Sequence, residues 1–301
     1  MKHLLKLYDL SQEEIFSILD LADQLKYEQK NHIPHKHLEG KNLGMIFQKS
    51  STRTRVSFET GMYQLGGYAM FLSSRDLQIG RGEPIQDTAR VLSRYLDGIM
   101  IRTFDQKEVE DLACYGSVPV INGLTDFCHP CQVLADLMTI REKYGHLDGL
   151  KLCYIGDGNN MANSLIVGGL KAGMAVSVAT PDDYKPDETV LEFAKQFGET
   201  FTHVNDPKEA IVDADVVITD TWASMGQEAE KEARMKAFQG YQVNEELMKL
   251  AKPDAMVQHC LPAYREQEIT EETFEKHADE IFEEAENRLH VQKAVLVKLM
   301  K

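Results

Sequence analysis

With 301 residues, 43% of them hydrophobic and 27% charged, the chain can bury two domain cores, which sets it apart from disordered chains. Its net charge of -15 at pH 7 speaks against a general attraction to nucleic acid or anionic membranes, so an anionic substrate would need a local basic site. No stretch is long enough to span a bilayer. The apolar run in 1–10 is short for a signal peptide and meets the acidic Ser11-Gln12-Glu13-Glu14 at once, so a cytoplasmic protein is expected. The cysteines at 114, 128, 131, 153 and 260 are odd in number and lack framework spacing, as suits a reducing compartment.

Ser11 with Glu14 has capping-box spacing, and Ile15, Ile18, Leu19, Ala22 and Leu25 continue at helical period, so the chain opens with a helix. Strands are expected at 43–47, 68–71, 98–102 and 118–121, separated by helices such as 87–95 and 107–115. A helix over 132–144 crosses the middle of the chain. After Gly149 the alternation restarts, with strands at 150–155, 175–179, 201–204, 216–219 and 256–258. Strand–helix alternation of this kind predicts two α/β domains with parallel sheets. A tail helix over 280–301 has Ile281, Phe282, Ala285, Leu289, Leu296 and Leu299 for a buried face, and periodicity leaves open which domain it joins.

The most informative stretch is Ser51 to Glu59, Ser-Thr-Arg-Thr-Arg-Val-Ser-Phe-Glu, where an apolar run gives way to a helix start. A helix N-terminus offers unpaired N–H groups and the positive end of the dipole, while Ser51, Thr52 and Thr54 add hydroxyls and Arg53 and Arg55 add guanidinium groups. Together they predict a phosphate site. Arg102 closes the strand 98–102, where open parallel sheets place ligand-binding residues. His129 and Gln132 stand at the start of the crossing helix, aimed at a ligand; the enclosed Cys128-x-x-Cys131 lacks the second pair a zinc site wants and the position a thioredoxin-type site wants.

Gly156-Asp157-Gly158-Asn159-Asn160 half-matches a dinucleotide fingerprint, but Met161 holds the third glycine position. Asn160 suits a small polar substrate equally well. Asp220, at the end of an apolar strand and beside the lone tryptophan Trp222, would pair with the ammonium of an amino acid. His259-Cys260-Leu261-Pro262 closes a further strand, and Arg288 lies in the tail helix.

Taken in order, Ser51-Thr52-Arg53-Thr54-Arg55, Asp87-Thr88-Ala89-Arg90, Arg102, His129-Pro130-Cys131-Gln132, Asp220 with Ser224-Met225-Gly226, His259-Cys260-Leu261-Pro262 and Arg288 resemble the aspartate/ornithine carbamoyltransferase family. The resemblance runs the length of the chain. Asp220-x-x-x-Ser224-Met225-Gly226 and His259-Cys260-Leu261-Pro262 look like the marks of its ornithine-type members, and Gln48 departs from a commonly acidic position with no catalytic consequence.

The resemblance implies a carbamoyl phosphate-binding domain over 1–133, an ornithine-binding domain over 134–280 and a C-terminal helix, 281–301, returning to the first domain. It implies carbamoyl transfer from carbamoyl phosphate to the side-chain amine of L-ornithine, yielding L-citrulline and phosphate, with neither metal nor organic cofactor. Ser51, Thr52, Arg53, Thr54 and Arg102 would hold the phosphate; His129, Gln132, Arg288 and the carbonyl of Leu261 would hold the carbamoyl group. Asn160, Asp220, Ser224, Met225 and Cys260 would contact ornithine, with Arg53, Arg102, His129 and Cys260 as the catalytic set. The family is trimeric, and Gln78, in the polar stretch 73–84, would enter a neighbouring subunit's site. The competing expectations are a nucleotide-binding Rossmann protein, a relative that binds without turnover, and transfer to another amine such as putrescine or acetylornithine.

Overall fold

The computed structural model describes residues 1–223 and 230–301. The chain divides into two compact units, one formed by Met1–Met138 with Asn287–Lys301 and the other by Thr139–Glu286. The two boundaries fall inside helices, α5 (Pro130–Tyr144) and α12 (Ala278–Met300).

In the first unit, β1 (Asn42–Phe47), β2 (Tyr68–Ser73), β3 (Gly98–Arg102) and β4 (Val120–Leu124) form an all-parallel sheet in the order β2-β1-β3-β4. β1 and β3 are central and buried almost throughout, as their uninterrupted apolar runs require. β2 is an edge, with Tyr68, Met70 and Phe71 exposed. The far edge, β4, is covered by the N-terminal segment, where Leu4 N–H donates to Val120 O and Asn122 N–H to Leu4 O. β4 begins and ends later than its apolar residues suggest because Asn122, which reads as a turn residue, is buried and donates from Nδ2 to Leu5 O at 2.8 Å.

The intervening helices are α1 (Gln12–Lys30), α2 (Thr52–Gln64), α3 (Ile85–Leu92) and α4 (Gln106–Tyr115). The Ser11–Glu14 capping box forms in full. α3 stops at Leu92, short of the expected Tyr95; Ser93 Oγ donates back to Ala89 O at its end. The 287–300 part of α12 packs in this unit. Lys26 Nζ donates to Asn287 Oδ1 at 2.8 Å, and a Cβ at Gly61 of α2 would stand 3.2 Å from Lys293. The tail helix thus returns to the first unit.

In the second unit, β5 (Lys151–Ile155), β6 (Ala175–Ala179), β7 (Phe201–Val204), β8 (Val216–Thr219) and β9 (Met256–His259) form a parallel sheet in the order β7-β6-β5-β8-β9. Its helices include α6 (Asn160–Lys171), α7 (Glu188–Ala194), α8 (Pro207–Ile211), α9 (Lys231–Ala237), α10 (Glu245–Met248) and α11 (Glu271–Lys276). One core gathers Ile155, Val217, Trp222, Phe238, Val257 and Phe274. No helix among the described residues is long and apolar enough to cross a membrane.

Strand order decides where ligands can bind. In each sheet the winding direction reverses once, between β1 and β3 in the first and between β5 and β8 in the second, and ligands sit beyond the carboxyl ends of strands at such points.

Candidate active site

At the reversal in the first sheet, β1 leads into α2, whose N-cap Ser51 accepts from Thr54 N at 3.2 Å. The neighbouring strand ends in Arg102, 6% exposed, at an irregularity in register where Ile101 faces Asn122 and Arg102 faces Leu124. Such a bulge re-aims the side chain beyond it. Gly123 is the skipped residue, and a Cβ there would stand 2.6 Å from Met100 Sδ.

Arg102 Nη1 lies 3.4 Å from Thr54 Oγ1, and Arg288 Nη2 donates to the same oxygen at 3.0 Å. Arg288 Nη1 also donates to Gln132 Oε1, while Gln132 Nε2 donates to Asp136 Oδ1 at 2.8 Å. One turn of α2, the end of β3, the start of α5 and one residue of α12 therefore meet around a buried hydroxyl, which is what an anion needs: amide donors, hydroxyls and bidentate guanidinium groups in one place.

His129 lies in this cluster and is 5% exposed. Burial, then the charges of Arg288, Arg102 and Arg53, hold its imidazole well below the usual pKa of 6.5. It is a neutral hydrogen-bonding group here. Arg53 is thereby placed near the cluster, whereas Arg55 turns away: it pairs with Glu59 at 3.0 Å and lies over the Phe71 ring at 3.9 Å. Of the two arginines, Arg53 lends its charge to His129 while Arg55 is engaged with Glu59 and Phe71. Thr52 and Gln78 are exposed, Gln78 opening a 3₁₀ turn over Gln78–Arg81.

Cys128 and Cys131 are structural thiols. Both are buried, and burial pushes each up to about 12. Cys131 Sγ donates to Asn122 O at 3.4 Å, and Cys128 Sγ accepts from Asn122 Nδ2 at 3.2 Å. Neither has the lowered pKa of a redox or metal-binding thiol.

At the reversal in the second sheet, β5 leads through Gly156-Asp157-Gly158-Asn159 into α6, and β8 ends before Asp220. The glycines serve the chain itself. Gly158 N–H donates to Tyr184 O at 2.9 Å, and a Cβ at 158 would lie 2.2 Å from the carbonyl carbon of Lys185. The close approach a dinucleotide pyrophosphate would need is taken by the protein's own backbone, and Asn159 caps Met161 N and Ala162 N, so the Rossmann expectation finds no support.

Asp220 is 7% exposed and has both oxygens engaged. Oδ1 accepts from Thr221 N at 2.7 Å and from Cys260 Sγ at 3.2 Å, while Oδ2 accepts from Asn159 Nδ2 at 2.9 Å. Asn160, half-buried, begins α6 beside them. His259 next to Cys260 is committed elsewhere: Nδ1 accepts from Leu261 N at 2.9 Å, so its proton is on Nε2, facing Glu268 Oε1 at 3.1 Å. Asp220, His259 and Cys260 offer atoms within 4.8 Å of one another, yet a metal ion here would break one of those two histidine bonds. Leu261 adopts φ 57°, a left-handed conformation that costs a branched residue energy. Ser224 and Met225 lie outside the described residues.

Sequence reading missed the supports behind these groups. Asp136, four residues after Gln132 on one helix face, was accessible from spacing alone. The buried pair of Arg234 Nη1 with Asp157 Oδ2 at 2.7 Å was not, since it joins distant segments. Arg234 also donates to Trp222 O at 3.0 Å.

Two family models match: "Aspartate/ornithine carbamoyltransferase, carbamoyl-P binding domain" over 2–142 and "Aspartate/ornithine carbamoyltransferase, Asp/Orn binding domain" over 148–299. A protein of Anoxybacillus flavithermus named ornithine carbamoyltransferase is 59% identical over 99% of this chain and 96% of its own. One from Pyrococcus furiosus, named ornithine carbamoyltransferase, anabolic, is 56% identical over the same shares, 99% and 96%. Among solved structures, ornithine carbamoyltransferase from Pyrococcus furiosus matches with a TM-score of 0.95 and 55% identity over 99% of this chain and 97% of that one. The anabolic enzyme of Campylobacter jejuni matches with 0.93 and 47% identity over 99% of both. With both family models matched in order and the site residues standing at the two sheet reversals, the chain belongs to the aspartate/ornithine carbamoyltransferase family.

Proposed function

We propose that the protein transfers the carbamoyl group of carbamoyl phosphate to the side-chain amine of L-ornithine, giving L-citrulline and phosphate, as a step of arginine biosynthesis in the cytoplasm. The observation that carries the choice of acceptor is Asp220, a buried carboxylate bonded to Cys260 and Asn159. A carboxylate at the acceptor site suits the ammonium of an amino acid and repels the extra acidic group of aspartate.

In this reading Ser51, Thr52, Arg53, Thr54, Arg102 and a neighbouring subunit's Gln78 bind the phosphate. His129, Gln132, Arg288 and the Leu261 carbonyl orient the carbamoyl group. Asn160, Asp220, Ser224, Met225 and Cys260 take the ornithine, in the unit that matches the Asp/Orn binding model. The free amine of ornithine has a pKa near that of lysine, about 10.4, so it sheds one proton before it attacks. Attack forms the N–C bond and moves the carbonyl electron pair onto oxygen. Collapse breaks the C–O bond to phosphate, and the nitrogen loses its second proton. Arg53 and Arg102 oppose the charge that builds on the carbonyl oxygen and departing phosphate, and neutral His129 contributes an N–H.

The edge of the first sheet supports assembly as a trimer. Val56 and Tyr63 of α2 are exposed, as are Tyr68 and Met70 of β2, apolar side chains near this sheet edge suited to a second copy of this chain. Citrulline production assayed against a panel of ornithine, putrescine, N-acetylornithine and aspartate tests the function. Ornithine should be much the best acceptor; faster turnover with any other would overturn the assignment.

A further inference from the structure

We propose that Asn159 is the positioning residue for Asp220, fixing the orientation of that carboxylate before the amino acid arrives; the proposal rests on the reading of Asp220 as the ornithine contact. Asn159 does two jobs with one amide. Its Oδ1 accepts from Met161 N at 2.9 Å and Ala162 N at 3.3 Å, capping α6. Its Nδ2 donates to Asp220 Oδ2 at 2.9 Å. The chemistry settles which end of the amide faces which way, because backbone N–H groups need an acceptor and an ionised carboxylate needs a donor.

The arrangement follows from the sheet. Asn159 comes after β5, Asp220 after β8 and Cys260 after β9, three strands that lie side by side, so the bonds Asn159 to Asp220 and Cys260 to Asp220 run along their carboxyl ends. Tyr154, buried on β5, lends a further contact: its hydroxyl donates to Asp157 O at 2.9 Å and lies 3.4 Å from Asn159 Oδ1. Oδ1 is held by Thr221 N and Cys260 Sγ, and among the contacts above only the Asn159 bond fixes Oδ2; without it the carboxylate can swing Oδ2 about the held Oδ1.

The cap and the positioning role separate by mutation. Asn159→Asp keeps the cap, since aspartate caps as well as asparagine, but removes the donor to Asp220 and puts a second carboxylate against it. Two such carboxylates share one proton, which raises one pKa. At low pH the shared proton restores a donor to Asp220; as pH rises it is lost and the pair repels. Ornithine kcat/KM in Asn159→Asp should therefore fall, relative to the parent, as pH rises. Asn159→Ser also keeps a cap but is too short to reach Asp220. It should raise the ornithine KM by about tenfold or more, the usual scale of a hydrogen bond to a charged group, and leave carbamoyl phosphate binding within twofold. Its crystal structure should show the Asp220 carboxylate rotated, a readout that does not depend on which amino acid is the acceptor. If Asp220 keeps its orientation in Asn159→Ser, or if Asn159→Asp follows the parent's pH profile with an unchanged KM, Asn159 is a cap and nothing more. Failure of the parent to make citrulline would instead count against the proposed function, leaving the crystallographic result to decide the positioning role.

Discussion

Arg288 Nη2 donates to Thr54 Oγ1 at 3.0 Å, tying the tail helix to the first turn of α2 although 234 residues separate them. With its second contact at Gln132 Oε1, the guanidinium bridges two elements of the anion cluster. Lysine cannot reproduce this, because an ammonium is a single point and cannot span two fixed acceptors. Arg288→Lys should weaken carbamoyl phosphate by about 10- to 100-fold, as expected for loss of a charge-assisted hydrogen bond. Calorimetric titration measures it; binding within twofold of the parent would remove Arg288 from the site.

His129 should not titrate in the range where the enzyme works. Burial and the three arginines depress its pKa well below 6.5, so NMR of the labelled imidazole should show the neutral form at pH 6 and above. The activity should still climb with pH, because the ornithine amine with a pKa of about 10.4 must lose a proton. Arg102→Ala should raise the His129 pKa and cost about 3 kcal/mol in kcat/KM. An imidazole titrating near 6.5 in the parent would show that neither burial nor the arginines act on it as described.

Lys293 should make stability depend on alkaline pH. It is fully buried on α12, with Nζ donating to Gln29 Oε1 at 2.9 Å and lying 3.3 Å from His35 Nε2, and burial pushes it down to about 8 against the opposing pull of Glu28. An unfolded lysine titrates near 10.4, so between about 8 and about 10.4 the unfolded state holds more protons and stability rises with pH. Below about 8 the full cost of the buried ammonium is present. Lys293→Met removes this contribution. Its Tm relative to the parent should be highest near pH 7 and decline as pH passes through that window; a constant difference would mean that the amine is not depressed.

The proposed sharing of the site between subunits has a complementation test. A subunit inactivated by Arg102→Gly, mixed with one carrying a replaced Gln78 loop, should regain activity after dissociation and reassembly, because some hybrids join an intact Arg102 to an intact neighbouring loop. Gln78 is exposed, as such a role demands. Hybrids confirmed by native mass spectrometry that stay inactive would disprove a shared site.

Local pattern in the sequence determined the elements and the stations of the chemistry. The mostly apolar runs at Gly98–Arg102, Ala175–Ala179 and Val216–Thr219 are strands with those bounds, buried on both faces as such short runs predict. Arg102 could be placed at the end of a strand, and Ser51, Asn160, Asp220 and Cys260 after strands, for the same reason. Strand order was not legible, because pairing is set by contacts far apart in sequence, and it is strand order that brings Thr54 beside Arg102 and Asn159 beside Asp220. Composition could not tell Arg53 from Arg55, which part in the fold: the charge of Arg53 acts on His129, while Arg55 lies over the Phe71 ring and pairs with Glu59. Nor could periodicity show that Lys293 and Arg288 of one helix are both buried, one against Gln29 and His35 and the other against Thr54 and Gln132. A charged residue in a helix reads as exposed until tertiary packing supplies the partners that let it be buried.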